Sequence, residues 1–225
     1  MALQRDGPAA LLLIRFAKVL LWAVCLIPAA RLAVDAATGR LGVNPIETLT
    51  HETGRAALLI LIATLAVTPL RRITGQNWLI RLRRPLGLFA FFYAALHFMV
   101  YVVLDQFFAW DYIIEDIVER PYITVGFTAL VLLVPLAVTS TRGWIRRLGR
   151  SWQRLHMLIY PAGVLALLHF YWKLASKSDV RDAIAYGSAL ALVLAVRGLI
   201  ALERRKRRPR TRSAAARQAR SPDPA

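Results

Sequence analysis

The sequence predicts an all-α polytopic membrane protein, a helix bundle with about six transmembrane spans. Three observations lead there. Hydrophobic residues make up 57% of the 225-residue chain, with a mean hydropathy of +0.48. The apolar residues gather into six runs near the ~20 residues that a helix needs to cross a ~30 Å hydrocarbon layer. The formal net charge of +17 is confined to short blocks between those runs. A soluble domain of this size cannot bury so much apolar surface. A nucleic-acid binder would share the pI near 11.3 but would spread its charge over one face, so no nucleic-acid partner is expected.

The runs fall at 11–34, 54–70, 85–104, 122–138, 153–172 and 180–202. The second and fourth are short, so they are expected to borrow flanking residues or to stand nearly upright. Pro28, Pro69, Pro135 and Pro161 lie within or at the ends of runs. Neighbouring helices can satisfy the backbone groups that such prolines free. Residues 1–10 read as a cytoplasmic N-terminus, 11–202 as the transmembrane domain, and 203–225 as a basic, disordered cytoplasmic tail held near membrane lipid. Arg15 and Lys18 ahead of a short apolar run also fit a signal-peptide pattern, which would leave the orientation of the other five spans unchanged.

Orientation follows from the connecting segments. Arg71, Arg72, Arg81, Arg83 and Arg84 occupy one acid-free segment; Arg142, Arg146, Arg147, Arg150 and Arg154 occupy another; the tail after Leu202 is basic too. Between the third and fourth runs, Asp105, Asp111, Glu115, Asp116 and Glu119 face Arg120 alone. Six spans put the basic segments on one side, which the positive-inside rule assigns to the cytoplasm, with both termini there.

The single cysteine, Cys25, excludes an intramolecular disulfide, a CxxCH heme attachment, a four-Cys zinc site and an iron–sulfur cluster. Imidazole is then the ligand type expected for any metal or cofactor, and the four histidines are His51, His97, His156 and His169. Ionisable groups inside a bilayer are costly and point to function. His97 lies ~18 Å and His169 ~24 Å from the basic side of their helices, at similar depth, while His156 lies only ~5 Å in. Two levels of imidazole on facing helices suit heme iron, for which neutral imidazole is a good axial ligand. His156 and His169 stand ~140° apart on a straight helix. A kink or π-bulge at Pro161 is needed to bring both to one side. His51, a weaker alternative ligand, reads more simply as a helix-terminus residue. Arg83, Arg84 and Arg154 can pair with heme propionates or a flavin phosphate, although the topology signal alone explains them.

The strings HETGRAAL (51–58), RRPLGL (83–88), ALHF (95–98), RPYITVG (120–126), TSTRGWIRRLG (139–149), WQRLHMLIY (152–160) and LHFYW (168–172) resemble, in this order, the MsrQ/YedZ family within the ferric-reductase-like transmembrane group. The resemblance implies b-type heme, FMN, and electron transfer from a cytoplasmic flavin reductase or the quinol pool to MsrP. That partner is a periplasmic molybdenum-cofactor subunit that reduces methionine sulfoxide in proteins. It also implies that His97, His156 and His169 are the heme-associated histidines. The wider group places two histidines on each of two helices, but here Arg83 stands 14 residues before His97. Arginine stays protonated and is a poor iron donor, so the number of hemes is open. No Gly-rich dinucleotide fingerprint is present, and electrons are expected from a separate protein, a flavin or a quinol. The chain is expected to serve an oxidoreductase system without being catalytic alone. Two other readings are a stand-alone quinol-oxidising or ferric-reducing cytochrome b and a small proton-coupled transporter. The lack of an evident internal repeat and of further buried acids disfavours the transporter.

Overall fold

The computed structural model describes residues 8–175 and 180–218, which form helices and connecting turns with no strand among them. The helices are α1 (Pro8–Ala37), α2 (Pro45–Thr74), α3 (Arg83–Val100), α4 (Trp110–Glu119), α5 (Pro121–Val138), α6 (Arg142–Leu148), α7 (Arg150–Leu155), α8 (Ile159–Ala175) and α9 (Arg181–Gln218). Among the described residues, six helical segments are long and apolar enough to cross a bilayer: Leu11–Ala37, Pro45–Thr74, Asn77–Asp105, Pro121–Val138, Arg150–Ala175 and Arg181–Glu203. The α9 backbone continues beyond Leu202 to Gln218. Residues 1–7 and 219–225, the outer parts of the two terminal segments, lie outside the described residues.

Local chemistry sets the element ends. The second span borrows residues at both ends and reaches 30 residues. It starts at Pro45, pre-set for the first helical turn, with the Asn44 side chain accepting from the Glu47 backbone N–H. It stops at Gly75 in a left-handed conformation. The fourth span, α5, stays at 18 residues and begins on Pro121. The acidic connection between the third and fourth spans is partly helical: α4 buries Ile113, while Trp110, Tyr112, Ile114 and Val118 are exposed. Aromatic residues at such a level are ordinary interface anchors.

The core is two helix pairs, α2 along α3 and α5 along α8, brought together by α2 with α8 and α3 with α5. Leu58, Leu61, Leu65, Ala90, Leu133, Leu136 and Ala162 pack between them. α9 leans on α2 and α8, while α1 is peripheral and exposes Leu12, Phe16, Val19 and Trp22 as a lipid-facing surface requires. Where Pro28 disturbs α1, the fully buried Tyr93 inserts its hydroxyl into the hydrogen-bond ladder. It accepts from the Ala29 N–H (3.1 Å) and donates to the Cys25 carbonyl (2.6 Å), the two groups that an undisturbed helix would pair with each other.

Candidate functional site

His97 and His169 are held by the same device on the two core hairpins. His97, near the end of α3, places Nδ1 2.9 Å from the Thr50 carbonyl on α2. His169, on α8, places Nδ1 2.7 Å from the Tyr122 carbonyl on α5. A carbonyl can only accept, so each Nδ1 carries the proton and donates, which leaves the lone pair on Nε2. This is the arrangement by which outer partners orient metal-ligating imidazoles.

One turn after each carbonyl stands a glycine that makes room for the ring. A Cβ at Gly54 would sit 3.1 Å from Cε1 and Nδ1 of His97, and one at Gly126 would sit 2.7 Å from Nδ1 of His169. Carbonyl, glycine and histidine each recur 72 positions on: 50 to 122, 54 to 126, 97 to 169. The fold thus contains a repeated device where no sequence repeat was evident.

The two rings lie with centroids 6.1 Å apart at an interplanar angle of 74°. Both line a cavity of about 310 Å³ enclosed by α2, α3, α5 and α8. Ala57, Ala90, Ala94, Ala129 and Ala166 keep its walls close to the backbone, a shape suited to a flat apolar ligand. Metal–imidazole bonds of about 2 Å on each side of one ion are compatible with this ring spacing. Among the described residues no cluster of three or more His, Cys, Asp or Glu exists that could enclose a metal. Two imidazoles alone cannot complete a coordination shell, so the donor set fits a metal that brings its own equatorial ligands. A tetrapyrrole with two axial histidines meets that requirement.

The other expected site residues are distributed differently. His51 lines the same cavity near its mouth, with Nε2 3.5 Å from Glu47. His156 does not line it. It sits on a 3-10 turn, His156–Leu158, between α7 and α8. Its Nδ1 is 3.1 Å from the Trp152 carbonyl, and its ring stacks on Trp152 at 3.8 Å. The break in the fifth span is this turn and not a kink or π-bulge at Pro161. Three residues at 120° instead of 100° reduce the angle between His156 and His169 from ~140° to roughly 80°. A π turn does occur, at Tyr101–Asp105, just past His97.

Arg83 is half-buried and Arg84 exposed, and neither lines the His97–His169 cavity. The cations that do are Arg55, Arg120 and Lys173, at the opposite end of the bundle. Arg55 pairs with Asp182. Arg120 is 2.9 Å from Asp116, which also accepts from the Tyr101 hydroxyl at 2.9 Å. The Tyr122 hydroxyl, and next the Asp116 carboxylate, push the Arg120 pKa up and keep its charge fixed.

The glycines, the two carbonyls and the mouth cations were not singled out in the sequence. A backbone acceptor carries no side-chain signature, and glycine is common in membrane helices.

Residues 53–167 match the family model described as the ferric reductase like transmembrane component. Relatives named protein-methionine-sulfoxide reductase heme-binding subunit MsrQ include one from Ralstonia nicotianae, 48% identical over 82% of this chain and 85% of the relative. One from Herminiimonas arsenicoxydans is 49% identical over 84% and 88%. One from Xanthomonas campestris pv. campestris is 59% identical over 68% and 70%. No solved structure gives a significant match. The chain belongs to the MsrQ family, within the ferric-reductase-like transmembrane group.

Proposed function

We propose that this chain is a b-type heme electron-transfer subunit that carries electrons across the bacterial inner membrane, with the heme iron held between His97 and His169. The observation that carries this reading is the pair of Nδ1–carbonyl hydrogen bonds. They leave two Nε2 lone pairs at one cavity, on rings 6.1 Å apart. When bound, a heme would supply one-electron redox chemistry at its iron.

The protein's part is positioning and insulation. Thr50 and Tyr122 fix the tautomers, Gly54 and Gly126 let the rings approach, and the alanine walls exclude water. Arg55, Lys173 and Arg120 at the mouth are placed to receive the carboxylates of a tetrapyrrole. In this reading, electrons arrive at the basic, cytoplasmic side from a flavin reductase or the quinol pool, with FMN as an intermediate carrier and His156 nearest the inlet. They leave at the acidic side to an MsrP-like periplasmic molybdenum-cofactor subunit that reduces methionine sulfoxide in proteins. The relatives' name, heme-binding subunit of a protein-methionine-sulfoxide reductase, supports the heme and the methionine-sulfoxide part of this reading.

A vesicle experiment tests it. Full-length protein is reconstituted with a membrane-impermeant electron acceptor trapped inside and reductant outside. Transfer in wild type and in His51→Ala, with loss of at least tenfold in His97→Ala and His169→Ala, is expected. Equal rates in all four would remove the proposal.

A further inference from the structure

One exposed turn is held in a shape that its own residues disfavour. Phe107 and Phe108, between the third span and α4, both take left-handed backbone conformations, with φ of 47° and 60°. That region suits glycine, and a bulky side chain is strained there. Three backbone hydrogen bonds hold the turn. The Gln106 N–H donates to the Tyr101 carbonyl at 2.9 Å, the Phe108 N–H to the Val102 carbonyl at 2.9 Å, and the Ala109 N–H to the Gln106 carbonyl at 2.8 Å. None of them needs an aromatic side chain. Nor does the core use these rings. Phe107 is 76% exposed and Phe108 51%, with the Phe108 ring 6.3 Å from that of Trp110. Glycine would make the same turn with less strain, so the rings answer to something outside the chain.

The turn lies at the mouth of the His97–His169 cavity, because Asp105 and Gln106, the residues just before it, line that cavity. Its flanks are acidic. Asp105 stands just before it and Asp111 just after, and Glu115 and Glu119 continue from Asp111 along one face of α4. All four are exposed and form no ion pair among the described residues, in a chain whose net charge is +17. Exposed aromatic anchors beside unpaired charge are the build of a protein docking site. A lipid anchor is built differently. Trp110, Ile114 and Val118 recur at every fourth position as an exposed stripe of α4, which suits a membrane interface without any backbone strain.

We propose that Phe107 and Phe108 form an aromatic hook on which a soluble protein with an apolar pocket and a basic rim docks over the cavity mouth. The proposal rests on the electron-transfer reading above and names the surface at which electrons leave. Tunnelling weakens exponentially with distance, so an acceptor seated at the mouth is reduced faster than one held to the side. Hook and acids divide the work. The acidic residues steer encounter and respond to salt, whereas the buried rings slow release with little dependence on salt.

The test uses the detergent-purified full chain and the MsrP-like subunit. Binding is followed across a salt series in wild type, the double variant Phe107→Gly with Phe108→Gly, and Val43→Ser. Val43 is a fully exposed apolar residue between the first two spans, at the same end of the bundle. The double variant should bind at least tenfold more weakly at every salt concentration. Its melting temperature should stay level or rise, since glycine relieves the strain, and Val43→Ser should bind as wild type does. A turn with a merely structural role gives the reverse, a lower melting temperature with unchanged affinity, and overturns the proposal. Phe107→Trp reads the membrane as the other occupant. In nanodiscs of brominated phosphatidylcholine, the fluorescence that this substitution adds should escape quenching and shift to the blue when the subunit is added. Quenching by the lipid without a response to the subunit assigns the hook to the membrane and overturns the proposal. A wild type that transfers electrons in vesicles yet does not bind the subunit also overturns it, and leaves the heme reading standing.

Discussion

At the scale of single residues, the two histidines differ in how tightly their glycines confine them. A Cβ at Gly126 would overlap the His169 ring at 2.7 Å, closer than real contacts allow, whereas one at Gly54 would press the His97 ring at 3.1 Å. Gly126→Ala must move the ring or part α5 from α8. Overpacking of this kind costs about 1–3 kcal/mol. Heme retention on dilution should therefore weaken roughly five- to hundredfold in Gly126→Ala. Gly54→Ala should lose less than tenfold, because a ring shift of a few tenths of an ångström relieves its contact. Heme titration of the two apo-variants checks this order; a larger loss in Gly54→Ala would contradict it. The depth match of His97 and His169 was legible by counting residues along two helices from one face. The glycines that set their rings were not, because the constraint is a distance across the bundle between residues 43 positions apart, 54 to 97 and 126 to 169.

At the scale of elements, two irregularities matter, and sequence reading located one of them. Pro28 was visible as a kink, but its relief by Tyr93 was not, since it joins α3 to α1 through a side chain among several aromatics. Tyr93→Phe removes the bridge between the Ala29 N–H and the Cys25 carbonyl. Leaving such groups unpaired costs about 1–3 kcal/mol, so the melting temperature should fall by roughly 2–10 °C. The visible spectrum should not change, because Tyr93 does not line the His97–His169 cavity. An unchanged melting temperature would mean that α1 restores the ladder itself. The second irregularity, the 3-10 turn at His156–Leu158, replaces the distortion expected at Pro161. Proline near the start of α8 is benign there, since its missing N–H falls in the first turn, where no intrahelical partner is available.

At the scale of the whole molecule, the six spans and their order were legible because a bilayer demands long apolar helices whatever the packing. The acidic connection was legible as charge but not as structure. Its Asp116 is spent internally on Tyr101 and Arg120, while Asp111, Glu115 and Glu119 of α4 remain exposed. Asp111→Asn with Glu115→Gln should weaken salt-dependent electron delivery to the partner severalfold without loss of heme. Asp116→Asn should loosen the α4–α5 corner and lower stability with little effect on the salt dependence. Partner reduction measured across a salt series separates the two.

The central claim is one iron held between two histidines of one cavity. It is tested most directly by the dithionite-reduced minus oxidised visible spectrum of purified protein, wild type beside His97→Ala and His169→Ala. A b-type Soret and α band in wild type that collapses in both variants, while His51→Ala keeps it, is the predicted result. A folded wild type without heme, or variants with undiminished bands, would contradict the account.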